Sequence, residues 1–234
     1  MEINIPNKIT SDLAEETGWH IGDGSMNYYK NREKIRGIYQ LRGHIEDDKM
    51  HYINRIKPLF KKIYNMDISL RKMPSTRVFG FQIWNNKLVE FKQKIGLPLG
   101  KKLDISIPQI FLKEKELKLS ILRGIFDTDG SINLEKKNNK LYPRIYISTI
   151  CQTLAYQLFN IFNEIGLRAT KYSEIYNKHF KRQRNYRITI RGEKMLHKFM
   201  EIIEPKNPKH LLKYQKFLNV RNKHISEPKK SLHF

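Results

Sequence analysis

The chain has 234 residues, 39% hydrophobic and 11% aromatic, enough to bury a core as one large domain or two small ones. Its 45 Lys and Arg against 23 Asp and Glu leave a net charge of +22, far beyond what solubility needs, and point to a polyanionic partner. The lone Cys151 excludes an internal disulfide framework and a Cys-rich zinc site, and fits a reducing interior. A membrane is the competing polyanion, but no run of 18 apolar residues and no strongly basic amphipathic helix with a bulky apolar face stands out. The first twenty residues lack a charged segment followed by an apolar one, so an intracellular protein of the cytoplasm or nucleoid is expected, with nucleic acid as its partner.

In chain order, periodicity predicts a helix starting near Asp12, with Glu15 at capping-box spacing, then strands at 25–32 and 35–42. A helix at about 47–64 follows, with Tyr52, Ile53, Ile56, Leu59, Phe60 and Ile63 as its apolar stripe. Strands at 67–73 and 77–84 and a short helix closing on Pro98 complete a first half. After the segment LGKKLDISIPQIF, a helix is predicted from near Glu114, strands at 131–137 and 142–149, and a helix at 152–165. Strands at 169–176 and 184–191 and a short helix closing on Pro205 complete the second half.

The halves repeat one another. Gly18, Asp23, Gly24, Ser25 and Asn27 match Gly124, Asp129, Gly130, Ser131 and Asn133 at an offset of 106 residues. RVFGFQIWNNKL then matches RNYRITIRGEKM at an offset of 107. The expected fold is α+β: two pseudo-symmetric αββαββα repeats at 1–98 and 114–234, joined by a linker at 99–113, with a helical tail on the second.

Each predicted sheet has one apolar and one polar, basic face. Tyr39 and Leu41 alternate with Arg36, Gln40 and Arg42; Ile145 and Ile147 alternate with Arg144, Tyr146 and Ser148; and Ile188 and Ile190 alternate with Arg187, Thr189 and Arg191. A two-stranded ribbon fits the major groove, and such side chains pair with phosphates and base edges. The DNA-binding candidates are Asn27, Tyr29, Lys30, Arg32, Arg36, Gln40, Arg42, Arg71, Lys72, Arg77 and Gln82 in the first half. In the second they are Asn133, Lys136, Lys137, Arg144, Tyr146, Ser148, Lys178, Lys181, Arg182, Arg184, Arg187, Thr189 and Arg191.

A glycine inside a helix costs about 1 kcal/mol relative to alanine. At Gly18 and Gly124 close approach of a second helix repays it, and Gly22 and Thr128 keep the same face small, so two helices are expected to pack across a pseudo-twofold axis. Asp23 and Asp129 would then lie close together at helix C-termini, where the dipole opposes a carboxylate. A hard divalent cation would relieve both costs and bridge to phosphate oxygens, as phosphodiester hydrolysis requires.

With these residues in place, ETGWHIGDG (16–24) and LRGIFDTDG (122–130) resemble the paired signature of the LAGLIDADG homing endonucleases in their single-chain, two-motif form. The linker LPLGKKLDISIP and the tail segment NPKHLLKY are also similar to archaeal-type members. The first motif departs from the pattern at Glu16, Trp19, His20 and Ile21, and Asp127 fills the first-acid place that Ile21 takes. The resemblance implies that Asp23 and Asp129 bind divalent metal, two or more Mg²⁺ with Mn²⁺ as a substitute, and serve cleavage of the two DNA strands. It further implies the carbonyls of Gly22 and Thr128 as added ligands, cleavage across the minor groove with short 3′ overhangs, and a monomer on a long, nearly non-palindromic site. Gln40, Arg42 and His44, with Ser148, Arg187 and Arg191, are the candidates for organising water at the active site.

Other readings weigh less. A non-cleaving scaffold acting as a transcriptional regulator, or as a maturase on intron RNA, would be expected to lose one or both acids. A self-splicing element is not expected, since no Cys or Ser boundary opens the chain and Leu232-His233-Phe234 carries no His-Asn close. GLPLGKK fails as a phosphate-binding loop because its glycines are too close and Lys102 stands where Ser or Thr is needed.

Overall fold

Helix α1 (Ser11–Asp23) starts two residues earlier than its capping-box spacing suggests, because Thr10 rather than Asp12 is the cap. The Thr10 hydroxyl accepts a hydrogen bond from the Leu13 amide at 3.2 Å, and Glu15 is left to turn inward. The structure, a computed structural model, describes residues 3–137, 140–178 and 181–226.

The first half continues with β1 (Gly24–Asn31) and β2 (Lys34–His44), then α2 (Lys49–His51) and α3 (Lys57–Tyr64) joined by a π-helical turn at Tyr52–Ile56. β3 (Arg71–Met73), β4 (Val78–Trp84) and α4 (Asn86–Lys94) follow. The second half is α5 (Lys115–Asp129), β5 (Gly130–Lys137), β6 (Lys140–Thr149), α6 (Gln152–Glu164), β7 (Thr170–Lys178), β8 (Lys181–Arg191) and α7 (Glu193–Ile203), with α8 (Pro208–Ser226) as the tail. The wide π-helical turn rotates the apolar stripe, so Tyr52, Ile56, Leu59 and Phe60 are buried while Ile53 is exposed.

Each half contains a four-stranded antiparallel sheet, ordered β1-β2-β4-β3 and β5-β6-β8-β7. The pairings Gly24↔Leu41 and Gly130↔Ile147 sit at equivalent places, so the repeat extends to strand register. One face of each sheet is packed on helices. Tyr39, Leu41 and Phe81 meet Phe60, whose ring lies 5.1 Å from Phe81. Ile145, Ile147, Ile188 and Ile190 are buried with Leu158, Phe162, Leu196 and Phe199, and Phe199 stacks edge-on against Phe126 of α5 at 4.6 Å. The linker is held to α6 by Gln157, whose side chain accepts from the Ile107 amide and donates to its carbonyl. Among the described residues no helix is long and apolar enough to cross a membrane.

Candidate active site

Helices α1 and α5 pack on one another along their small-residue faces, between the two sheets. A Cβ on Gly18 would stand 2.9 Å from the Gly124 Cα and nearer still to the Ile121 carbonyl; one on Gly124 would run into the Glu15 carbonyl. The backbones therefore touch, which only glycine permits. At the next turn Gly22 faces Thr128, whose hydroxyl is turned back onto the Gly124 and Ile125 carbonyls at 3.0 Å.

That contact brings the two helix C-termini, and so Asp23 and Asp129, side by side. Burial pushes the Asp23 carboxyl up, to about 8, and the charges of Asp129 and Asp48 push the same way. Asp129 reaches solvent along one edge, but the protein around its other sides raises its carboxyl to about 6. Tyr52 donates to Asp23 at 3.4 Å. Beneath Asp23 lies Gly43, where a Cβ would come within 2.9 Å of the carboxylate, so β2 must carry a glycine for the acid to sit there. Both carboxyls are thus held at a cost that a cation would remove.

Two lysines, related by the pseudo-symmetry and unrecognised in the sequence, flank this pair. Lys102 of the linker donates to the carbonyls of Ile21 at 2.9 Å and His20 at 3.3 Å, and to that of Gly22. Lys209 of α8 donates to the Thr128 carbonyl at 3.1 Å and to Asp48 at 2.8 Å. Each ammonium therefore caps the C-terminus of one motif helix, and both charges favour ionised Asp23 and Asp129. The carbonyls of Gly22 and Thr128, candidates for metal coordination, already accept from these lysines. The two neighbouring carboxylates, whose ionisation burial opposes, are hard oxygen donors, so the donor set fits Mg²⁺. Among the described residues no three His, Cys, Asp or Glu gather into a closed cage, so such an ion would take its remaining ligands from water and substrate phosphate.

Asp48 is the third carboxylate of the site. It accepts from the His44 amide at 2.8 Å, from Lys209, and from the Asn207 side chain at 2.8 Å. Asn207 also donates to the Asp127 carbonyl oxygen at 2.8 Å, and the Asp127 carboxylate accepts from the amides of Lys206 and Asn207. Asp127 thus anchors the turn that leads into α8, and that turn places Lys209.

The strand register sorts the remaining candidates. Gln40, Arg42, Gln82, Asn27, Tyr29, Arg36 and Arg71 share the open face of the first sheet. Asn133, Lys137, Arg144, Tyr146, Ser148, Arg187, Thr189 and Arg191 share that of the second. Period-two alternation puts Lys30, Lys72, Lys136 and Arg184 on the opposite face from these, paired with Ile35, Phe79, Leu141 and Ile175. Arg32 and Arg77 sit in turns between strands, each with φ of 55°. Lys178, Lys181 and Arg182 lie at the outer end of β7 and β8, and their side chains are outside the described residues.

Of the water-organising candidates, Arg42 donates to Gln82 at 3.3 Å, Gln40 accepts from Ser25 at 3.5 Å, and His44 lies beside Asp48. Ser148 lines the same ≈ 690 Å³ hollow as Asp129, Gly22 and Lys102, and Arg187 is 3.5 Å from Ser148. Arg191 is different: it pairs with Arg144, four residues along β8 from Arg187, or about 13 Å from it at the rise of a strand. It belongs with the open sheet face and not with the acids.

The chain is similar to known proteins. Residues 116–204 match the family model of the LAGLIDADG-like domain. The chain is 24% identical over 184 residues to a DNA polymerase of Methanocaldococcus jannaschii, covering 74% of this chain and 10% of that protein. It is 23% identical over 203 residues to a glutamine–fructose-6-phosphate aminotransferase of the same organism, covering 86% of this chain and 17% of that protein. The chain thus spans only a small part of either curated relative. Among solved structures, mesophilic variants of the homing endonuclease I-DmoI superpose with a TM-score of 0.60 at 16% identity, covering 82% of this chain and 90% of theirs. I-DmoI in complex with DNA and Mn gives 0.58 at 17% identity, covering 82% and 96%. The LAGLIDADG meganuclease I-AabMI bound to uncleaved DNA gives 0.54 at 14%, covering 93% and 92%. Residues 116–204 match a LAGLIDADG-like domain, and the chain has the LAGLIDADG homing endonuclease fold.

Proposed function

We propose that the chain is a site-specific DNA endonuclease that makes a metal-dependent double-strand break at a long, nearly non-palindromic duplex site, leaving short 3′ overhangs. The observation that carries this reading is the convergence of Asp23 and Asp129 at the touching ends of α1 and α5, between two open basic sheet faces. One carboxylate serves each strand. A bound divalent ion supplies charge neutralisation of the scissile phosphate and a more acidic water. The chain's own residues do the rest: Asp23 and Asp129 hold the ions, and Asp48 orients Lys209 through its 2.8 Å contact. Lys102 and Lys209 place positive charge where the phosphate's negative charge grows. The sheets fix the register on the duplex and act as a monomer with internal twofold symmetry.

A DNA duplex selected for binding by the chain should be cut through both strands by the protein with Mg²⁺ or Mn²⁺. Asp129→Asn should lose double-strand cutting by two or more orders of magnitude while still binding the same DNA. Full cutting by that variant would overturn the two-carboxylate reading.

A further inference from the structure

The two sheets are built on one register yet carry different chemistry at matching places. In the first, Asn27, Ile38 and Trp84 stand abreast across β1, β2 and β4; in the second, Asn133, Arg144 and Arg191 do so across β5, β6 and β8. Asparagine is kept at this step, but an Ile–Trp pair on one side has become an Arg–Arg pair on the other. Ile38 is buried outside the main core cluster, beneath the open face, and Trp84 is half-exposed with Tyr29 edge-on at 6.1 Å. The first sheet therefore offers a firm apolar surface at this point. In the second, the Arg191 guanidinium lies 5.2 Å from the Tyr172 ring, and four residues back along the same face of β8 Arg187 lies 5.3 Å from Tyr146. Stacking on a ring holds a guanidinium flat and leaves its edge free to donate. Arg144 is oriented by Glu135 at 2.8 Å. A carboxylate on a face meant for DNA is repelled by phosphate, and is useful there chiefly if it accepts from a base, as it can from the cytosine amino group.

Resting on the endonuclease reading, we propose that the two halves read different bases at the symmetry-related step. Arg191 recognises the guanine, and Glu135, held in place by Arg144, the cytosine amino group of one G·C pair in the half-site under the second sheet, and Trp84 recognises a thymine methyl at the matching step under the first. The chemistry follows the major-groove code: arginine is bidentate to guanine O6 and N7, and apolar side chains contact the thymine methyl. The site is then non-palindromic because of specific residues in the sheets.

The test is selection of bound duplexes from a randomised library by the full chain with Ca²⁺, repeated with Arg144→Ala, Arg191→Lys and Trp84→Ala, each checked for an unchanged melting temperature. The expected result is a selected site whose guanine preference at one step falls by about tenfold or more in the two arginine variants. Arg191→Lys keeps the charge, so its loss of preference separates base reading from phosphate attraction. Trp84→Ala should relax a thymine at the mirrored step in the other half. A selected site on which the arginine variants weaken all sequences equally, or whose relaxed base is not guanine, would overturn the inference and leave the nuclease reading standing. Failure to select any duplex would overturn the nuclease reading, and the inference with it.

Discussion

His20 takes in α1 the place that Phe126 takes in α5, and both are fully buried. Neither nitrogen of the His20 ring has a partner, and the ring stacks on Tyr39 at 5.2 Å. Burial, and then the charges of Lys92 and Lys102, hold it well below the usual histidine range. Such a group binds its proton in the unfolded chain but not in the fold, so the stability present above about pH 6.5 is lost as the pH falls below that value. His20→Phe, which copies the other half, should therefore gain on the wild type on acidification. The gap should widen by about 2 kcal/mol between pH 7.5 and pH 5, or about 4–8 °C in melting temperature. A gap that does not change with pH would contradict this. Glu16 shows what a single strand of text conceals. It stands where the second half has Leu122, and it is buried against Tyr39 at 2.7 Å, Tyr64 at 3.0 Å and the ammonium of Lys92. Nothing near Glu16 announces that partner, which lies 76 residues away in α4.

The helix pair is the element on which the site depends. Its seam was legible because glycine in a helix is locally expensive and the expense recurs at one spacing. Gly124→Ala would drive a methyl into the Glu15 carbonyl and force α1 and α5 apart. Overpacking of this kind costs about 1–3 kcal/mol, so the melting temperature should fall by about 2–12 °C. Cutting should fall further than binding, since the two acids separate while the sheet faces remain. An unchanged melting curve with unchanged cutting would rule out a backbone-to-backbone seam. The strands were legible from alternation, except at their ends. Lys30, Lys72, Lys136 and Arg184 are basic in sequence, but parity places them on the far side of the sheets. The π-helical turn at Tyr52–Ile56 was not legible, because a period of 3.6 carried through it puts Ile53 on the buried stripe.

At the scale of the molecule, a net charge of +22 makes binding an electrolyte effect. The logarithm of affinity should fall with the logarithm of salt at a slope of about −0.9 per phosphate contact. With about 6–10 contacts, affinity drops about 10³–10⁵-fold between 50 and 200 mM salt. A filter-binding or anisotropy titration would show this, and a flat response would assign the charge to another purpose. The linker and the tail also acquire meaning only at this scale. Lys102 belongs to a segment that fails as a phosphate loop, and Lys209 to the first turn of α8, yet the two ammonium groups meet the ends of α1 and α5.

The sequence by itself determined the duplication, the paired helices, the two acids and the basic faces, because each is written in local periodicity and repeated at one offset. The tertiary structure alone decided which groups surround those acids. Asp48, Lys102, Asn207 and Lys209 come from a loop, a linker and a tail. Their convergence is a consequence of long-range packing, and no spacing along the chain encodes it.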